Sequence, residues 1–207
     1  TATTEIYTLS LHDALPILSS DYHVLNADNP EGEFHSFSPR GKKHEYSLEH
    51  YKDKFYIITN WNATNFRLME TPDDATSKEN WTEVMAHRDD VLLSEIDVFE
   101  NHLVISERKE GLRQLRIIDQ QSGSEHYMDF GEDVYAAYTL TNLNFDTNIL
   151  RYGFTSLKTP FSTIDYNMDT RESTLLKQTV VVGGHNPDEI EERRVGKEGR
   201  SRGSPYH

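Results

Sequence analysis

The sequence contains no cysteine among its 207 residues. Disulfide bonds, thiolate nucleophiles and cysteine-ligated zinc are therefore excluded, and a reducing compartment is favoured. No stretch approaches the run of about 18 apolar residues that a membrane-spanning helix needs. We therefore expect a cytoplasmic protein without a membrane partner.

Basic residues are also scarce, because 21 Lys and Arg stand against 35 Asp and Glu, which gives a formal net charge of −14. Nucleic acids and anionic membrane surfaces attract proteins through basic faces. This charge balance therefore argues against nucleic acid as a partner. The 3.6-residue period of an amphipathic helix is missing as well, so no helix of ordinary length is expected.

The two ends of the chain are related through their codons. Residues 1–17 can be encoded by a DNA string that matches a common short-read sequencing adapter, and its reverse complement encodes most of residues 191–207. The two differences, at Gly199 and Gly203, each need one base change. We therefore expect both ends to be adapter-derived and non-native, and we base the fold prediction on residues 18–190. The ends carry charges of −2 and +2, so the central part keeps the whole −14.

Residues 18–190 contain an internal repeat. Strand-like runs at Lys54–Asn60, His102–Arg108 and Ile149–Thr155 recur at spacings of 48 and 47 residues. Each run is followed by a second strand and a polar turn, which is typical of a hairpin. A short strand precedes each hairpin and another follows it, with β-branched and aromatic residues alternating with polar ones. The flanking strands are predicted at Glu45–Tyr51, Glu95–Asn101 and Tyr138–Asn144 before the hairpins and at Thr82–Arg88, Glu125–Gly131 and Ser173–Thr179 after them.

Four antiparallel strands in about 48 residues are typical of a β-propeller blade, and a solenoid fits the pattern less well. With a leading strand at Phe34–Arg40, we predict an all-β fold: an incomplete β-propeller of about three to four four-stranded antiparallel blades. Closed propellers have about four to eight blades, so we expect truncation at both ends. Blade faces without neighbours would leave the chain marginally stable or prone to aggregation when expressed alone.

The ten histidines raise the question of a metal site. His44-Glu45 followed by His50 is not an H-E-x-x-H motif, because the histidines are six residues apart, which is about 20 Å along a strand at 3.3 Å per residue. We interpret these histidines as solvated strand and turn residues. The sequence predicts no metal site and no cofactor.

Paired carboxylates at Asp73-Asp74, Asp89-Asp90 and Glu132-Asp133 could serve as acid/base pairs or calcium ligands, but their positions between strands favour turn chemistry. No G-x-S-x-G nucleophile elbow is expected anywhere in the chain, so no catalytic residue is predicted. Gly183-Gly184 is interpreted as a linker rather than a phosphate-binding loop.

The two tryptophans, Trp61 and Trp81, could form a stacking platform for a sugar or peptide. Blade cores contain many aromatic residues, so packing is the preferred interpretation.

The motifs of residues 21–189 resemble a known family. FYIITN, NFRLMETP and FENHLVISERKEGLRQLRI are similar to the propeller domain of the oligopeptidase B branch of the prolyl oligopeptidase family of serine peptidases. The most specific stretch is Arg151–Gln178, where an aromatic-rich strand, a T-S-L-x-T-P turn and a D-Y-x-M-x-T hairpin occur together.

This resemblance implies the last three to four blades of a seven-bladed propeller that gates the access of short peptides to an α/β-hydrolase domain. That domain, absent from these residues, would carry a Ser-Asp-His triad and cleave after Arg or Lys, so its partners would be this propeller and short basic peptides. None of the triad residues carries over to this sequence, and the chain is expected to be inactive. Acidic positions such as Glu95 and Asp97 could steer cationic peptides. A stand-alone propeller that acts as a binding module remains the alternative.

Overall fold

The structure is a computed structural model that describes residues 6–10 as backbone and residues 19–39 and 41–184 in full. Its strands form four antiparallel sheets. The first sheet contains β1 (Ile6–Ser10), β2 (Tyr22–Asn26) and β3 (His35–Ser36). β3 is much shorter than the leading strand predicted at Phe34–Arg40.

Three four-stranded sheets follow in sequence order, which confirms the predicted repeat. Sheet 2 contains β4 (Tyr46–Tyr51), β5 (Lys54–Thr59), β6 (Arg67–Pro72) and β7 (Thr82–Met85). Sheet 3 contains β8 (Val91–Val98), β9 (His102–Lys109), β10 (Leu112–Asp119) and β11 (Glu125–Tyr127). Sheet 4 contains β12 (Tyr135–Thr139), β13 (Ile149–Ser156), β14 (Ser162–Asn167) and β15 (Ser173–Gln178).

Each sheet packs face to face on its neighbour, because its central strands are apolar on both faces. On β5, Phe55 and Ile57 contact the cluster shared with the first sheet, whereas Tyr56 and Ile58 contact the cluster shared with sheet 3. Successive side chains on a strand point to opposite faces, so an apolar run of this kind fills two cores at once. A third core lies between sheets 3 and 4 and includes Val104 and Leu150. Stacked sheets with shared cores are the arrangement of propeller blades, and the predicted fold class is confirmed.

Two first strands begin earlier than predicted. β8 begins at Val91 rather than Glu95 and ends before Phe99, whose amide donates to the carbonyl of His102 and so forms the turn into β9.

β12 likewise begins at Tyr135 rather than Tyr138 and ends at Thr139. Beyond it, the Asn142 side chain takes the place of a backbone partner of β13. Its Nδ2 donates to the Leu140 carbonyl and its Oδ1 accepts from the Arg151 amide. The alternation of apolar and polar residues cannot predict that a side chain, and not a strand, makes these hydrogen bonds.

The prediction that the chain has no helix of ordinary length is confirmed for the described residues, in which the only helix is the 3-10 turn Lys78–Asn80. No helix among them is long and apolar enough to cross a membrane. β1 falls inside the segment 1–17 that the codons predict to be adapter-derived. The other residues of that segment, and all of 191–207, lie outside the described residues, so the adapter origin stays a prediction.

Candidate functional site

The first strands of the three four-stranded sheets lie on a common edge of the molecule. β4 contacts β8, and the Thr139 hydroxyl of β12 donates a hydrogen bond to Asp97 of β8. The last strand, β15, is exposed along its whole length. In a propeller the strands nearest the axis approach one another while the outer strands diverge. β4, β8 and β12 are therefore the inner strands.

Three carboxylates, Glu49 on β4 and Glu95 and Asp97 on β8, lie on these inner strands and are called here the acidic strip. Strand alternation sets their direction. Leu48 belongs to the core shared with the first sheet, so Glu49 points toward sheet 3. Ile96 belongs to the core shared with sheet 2, so Glu95 and Asp97 point toward sheet 4.

The carboxylates of the strip influence one another. Desolvation raises the pKa of Glu49 to about 7, and the nearby charge of Asp97 adds to the rise. Desolvation also raises the pKa of Asp97; the Thr139 hydrogen bond partly offsets this, and the charge of Glu95 adds to it. Glu49 and Glu95 are nevertheless open to solvent as whole residues. A solute can therefore reach the carboxylates of Glu49 and Glu95.

No cation neutralises the strip within the part of the chain that the structure describes. None of the ion pairs there includes Glu49, Glu95 or Asp97. Like charges held close in a partly desolvated place favour a bound cation, because a cation removes the mutual repulsion. Chemically, the strip is suited to bind a guanidinium or ammonium group.

The sequence predicted an electrostatic role for Glu95 and Asp97 but missed Glu49. A signal for Glu49 was present, because Glu49 and Asp97 are separated by 48 residues, the period of the repeat. Equivalent positions on neighbouring inner strands point in the same sense, each toward the next sheet. Applying the repeat to the carboxylates, and not only to the apolar residues, would have placed Glu49 in the strip.

The interpretation of His44 as a solvated residue is wrong. Its ring is 6% exposed, lies stacked on Tyr46 with centroids 5.0 Å apart, and has Thr59 Oγ1 at 2.9 Å from Nε2. The Lys78 ammonium lies 3.1 Å from Nδ1 and donates to it. Burial lowers the pKa of His44 to about 4, and the positive charge of Lys78 makes a smaller contribution in the same direction. His44 is thus a neutral core residue and not a metal ligand.

The paired carboxylates lie at turns, as the sequence predicts. Asp73 and Asp74 occupy the turn after β6, and Asp90 pairs with Lys109 at 3.1 Å in the turn before β8. Glu132 accepts a hydrogen bond of 2.8 Å from the Thr159 hydroxyl. Asp90 and Glu132 thus hold their loops to neighbouring segments.

The tryptophans pack as predicted. Trp81 is 7% exposed and belongs to the core between the first sheet and sheet 2, while Trp61 packs against its ring edge-on at 5.8 Å. Gly183 and Gly184 lie in a turn after β15 with φ of 98° and 95°.

The tail of the chain does contain one G-x-S-x-G spacing, Gly199–Gly203, which reads GRSRG. It falls in the segment predicted to be adapter-derived and lies outside the described residues. A nucleophile elbow needs a strand-to-helix turn around the serine, and a catalytic triad is defined by its geometry rather than by sequence spacing.

The comparisons with known proteins agree with the fold of stacked antiparallel sheets. Residues 6–179 match the family model described as prolyl oligopeptidase, N-terminal beta-propeller domain. The chain therefore belongs to the prolyl oligopeptidase family, and the matched residues are part of a propeller domain of that family.

Two curated relatives are named as peptidases. The chain is 36% identical over 167 residues to dipeptidyl aminopeptidase BI of Pseudoxanthomonas mexicana, covering 80% of this chain and 23% of the relative. It is 28% identical over 184 residues to protease 2 of Moraxella lacunata, covering 88% and 26%. The chain thus spans about a quarter of the length of these relatives. The structure of oligopeptidase B from Leishmania major superposes with a TM-score of 0.78 at 24% identity, covering 93% of this chain and 29% of that one.

Proposed function

We propose that this propeller is the non-catalytic, substrate-filtering part of a cytoplasmic serine-type oligopeptidase that cleaves after Arg or Lys. Cleavage would belong to an α/β-hydrolase domain of the parent polypeptide, to which the propeller docks. The propeller would admit short basic peptides along its inner strands. Membership of the prolyl oligopeptidase family supports this proposal.

The acidic strip is the observation that carries the proposal. Glu49, Glu95 and Asp97 hold negative charge on inner strands and have no cationic side chain paired with them among the described residues. A peptide that contains Arg or Lys supplies the missing cation. The acidic strip also raises the local concentration of cationic peptides by long-range attraction.

The strip also implies that binding is coupled to protons. A bound guanidinium or ammonium stabilises the ionised form of Glu49 and so lowers its pKa from about 7. Peptide binding near neutral pH would therefore release protons. The affinity for a cationic peptide would increase from pH 6 to pH 8, since less deprotonation is required at the higher pH.

The test is a binding titration of the 207-residue chain with two fluorescent tetrapeptides, Ala-Arg-Lys-Ala and Ala-Glu-Asp-Ala, by fluorescence anisotropy. We expect saturable binding of the cationic peptide alone, and weaker binding as salt is added because exposed charges are screened. The variant Glu49→Gln/Glu95→Gln/Asp97→Asn should bind about tenfold more weakly, since three solvent-accessible charge interactions together contribute on the order of 1.4 kcal/mol.

The matched control is Glu31→Gln/Glu33→Gln/Glu172→Gln, which removes the same charge from exposed positions outside the inner strands. Equal losses in both triple variants would mean that net charge, and not the strip, attracts the peptide. Equal binding of both peptides would favour a general binding module instead. Hydrolysis of an Arg- or Lys-containing chromogenic peptide by the purified chain would contradict the non-catalytic assignment.

A further inference from the structure

A second cluster of ionisable side chains lies away from the acidic strip, between sheets 3 and 4. His102 begins β9 and Asp119 ends β10, and the two residues are direct cross-strand partners. Side chains opposite each other on neighbouring antiparallel strands share one face of the sheet. Asp169, in the hairpin turn between β14 and β15, reaches the same place from sheet 4.

The three side chains converge closely. His102 Nε2 lies 3.0 Å from Asp169 Oδ1. One potential ligand atom from each of the three residues lies within 4.8 Å of the other two. Ligands about 2.0–2.1 Å from a tetrahedral zinc ion are about 3.3 Å apart, so small side-chain rotations bring these atoms to coordinating distance.

Surrounding hydrogen bonds orient both carboxylates. Asp119 Oδ1 accepts from the amides of Gln121 and Ser122, at 3.0 and 2.7 Å, and from the Ser122 hydroxyl at 2.8 Å. Asn148 Nδ2 donates to Asp169 Oδ2 at 2.9 Å. Each carboxylate thus has one oxygen held by these donors, and its other oxygen accepts none of these hydrogen bonds. Metal-binding carboxylates are oriented in this way.

The imidazole of His102 is not explained by packing alone. Its side chain is 5% exposed, and its Nδ1 is buried without a hydrogen-bond partner among the described residues. The ring borders a cavity of about 170 Å³, which Asp119, Ser124, His126, Asp169 and Arg171 also line. This volume accommodates an ion with completing water molecules. Arg171 offsets one of the two carboxylate charges, so a net negative charge remains.

We propose that His102, Asp119 and Asp169 form an inter-sheet binding site for a divalent first-row transition-metal ion, with Zn²⁺ the best-fitting ion. One imidazole nitrogen and two carboxylate oxygens are a ligand set that such ions accept, with water in the remaining position. The imidazole disfavours Ca²⁺ and Mg²⁺, which take oxygen ligands. The ion joins sheet 3 to sheet 4. The sequence predicts no metal site because these residues are 17 and 50 positions apart and converge only through sheet packing.

The test is a Zn²⁺ titration of the metal-stripped 207-residue chain by isothermal titration calorimetry. We expect one saturable site in the wild type, and a loss of affinity of about tenfold or more in Asp169→Asn. Asp169 is 52% exposed, so this change leaves the core intact. Glu172→Gln is the matched control, because it removes the same charge from an exposed position in the same hairpin. It should bind Zn²⁺ like the wild type.

Two further measurements separate this site from the other histidines. Co²⁺ bound to the wild type should give the visible absorption of a low-symmetry, nitrogen- and oxygen-ligated ion, and Asp169→Asn should not give it. Zn²⁺ should slow amide hydrogen exchange in β9, β10 and β14 of the wild type only. No saturable binding, or equal affinities in wild type and Asp169→Asn, would overturn the proposal. Should Asp169→Asn fail to fold, as judged by circular dichroism, Asp119→Asn with the same titration decides the outcome.

Discussion

The guanidinium of Arg88 donates a hydrogen bond to the carboxylate of Glu107, which has 0% of its surface exposed. Arg116 lies 3.4 Å from the same Oε1 atom, and the Tyr127 hydroxyl donates to Oε2 at 2.8 Å. A buried carboxylate is tolerated only when charges and donors satisfy it. Strand β9 thus carries a charged residue inside the stack because two arginines that are distant in the sequence supply cations to it.

Replacing Glu107 by Gln leaves Arg88 and Arg116 without their shared anion. We expect the free energy of unfolding to fall by about 3–5 kcal/mol, the usual cost of breaking a buried ion pair on one side. Urea denaturation followed by circular dichroism measures the change. The control is Glu125→Gln, because Glu125 also pairs with Arg116 but its side chain is 47% exposed. Its loss should cost about 0–1 kcal/mol. Equal effects would mean that burial does not govern the strength of these pairs.

Glu107 shows how far the sequence predicts this fold. The repeat of 48 and 47 residues identified each hairpin because apolar residues recur in register, and that information is local in the chain. The burial of Glu107 depends instead on Arg88, which lies 19 residues away, and on the packing of sheet 2 on sheet 3. The carboxylate was therefore indistinguishable from an exposed one in the sequence.

The candidate site likewise has a part that the sequence reveals and a part that depends on the folded structure. The negative charge of Glu95 and Asp97 was visible in the sequence. That Glu49 and Thr139 both lie near Asp97 was not, because it requires three inner strands to converge. His44 was misinterpreted for a related reason. A polar residue before a strand is ordinarily solvated, but Lys78 and Thr59 satisfy its ring nitrogens from distant parts of sheet 2.

His44 predicts a loss of stability in acid. Its pKa is about 4 in the folded chain against 6.5 for the free side chain, so its contribution is fully present above pH 6.5 and is lost as the pH falls toward 4. The difference corresponds to about 3 kcal/mol. Relative to the wild type, His44→Gln should unfold with a flatter pH dependence between pH 6.5 and 4. His35→Gln, at an exposed histidine, is the control and should follow the wild-type profile. Parallel profiles for wild type and His44→Gln would contradict the assignment.

Glu49 predicts the opposite trend. Its pKa is raised from 4.5 to about 7 in the folded chain, so the fold binds a proton more tightly than the unfolded chain does. Between these values the Glu49 contribution to stability falls as the pH rises. Glu49→Gln should therefore raise the melting temperature at pH 8 relative to the wild type, and the gain should vanish near pH 4.5. Glu31→Gln, at an exposed position, should show no such trend. A gain that is independent of pH would mean that Glu49 acts through packing.

The last strand predicts where the chain associates with itself. β15 is the edge of sheet 4, and Leu175 and Leu176 on it are 57% and 48% exposed. Exposed apolar edge strands template pairing with a second chain, and a lysine on the edge blocks this. Leu176→Lys should therefore lower the sedimentation coefficient and light scattering of concentrated solutions without lowering the melting temperature.

Leu143→Lys is the control for this change, because Leu143 is 90% exposed but lies in the loop after β12, outside any strand. If association depended only on exposed apolar area, Leu143→Lys would suppress it at least as strongly, since Leu143 is the more exposed residue. If it depends on the unpaired backbone of β15, only Leu176→Lys reduces it, because a charge repels an incoming strand only when it stands on the edge that would pair. Sedimentation velocity of both variants at matched concentrations distinguishes these two mechanisms.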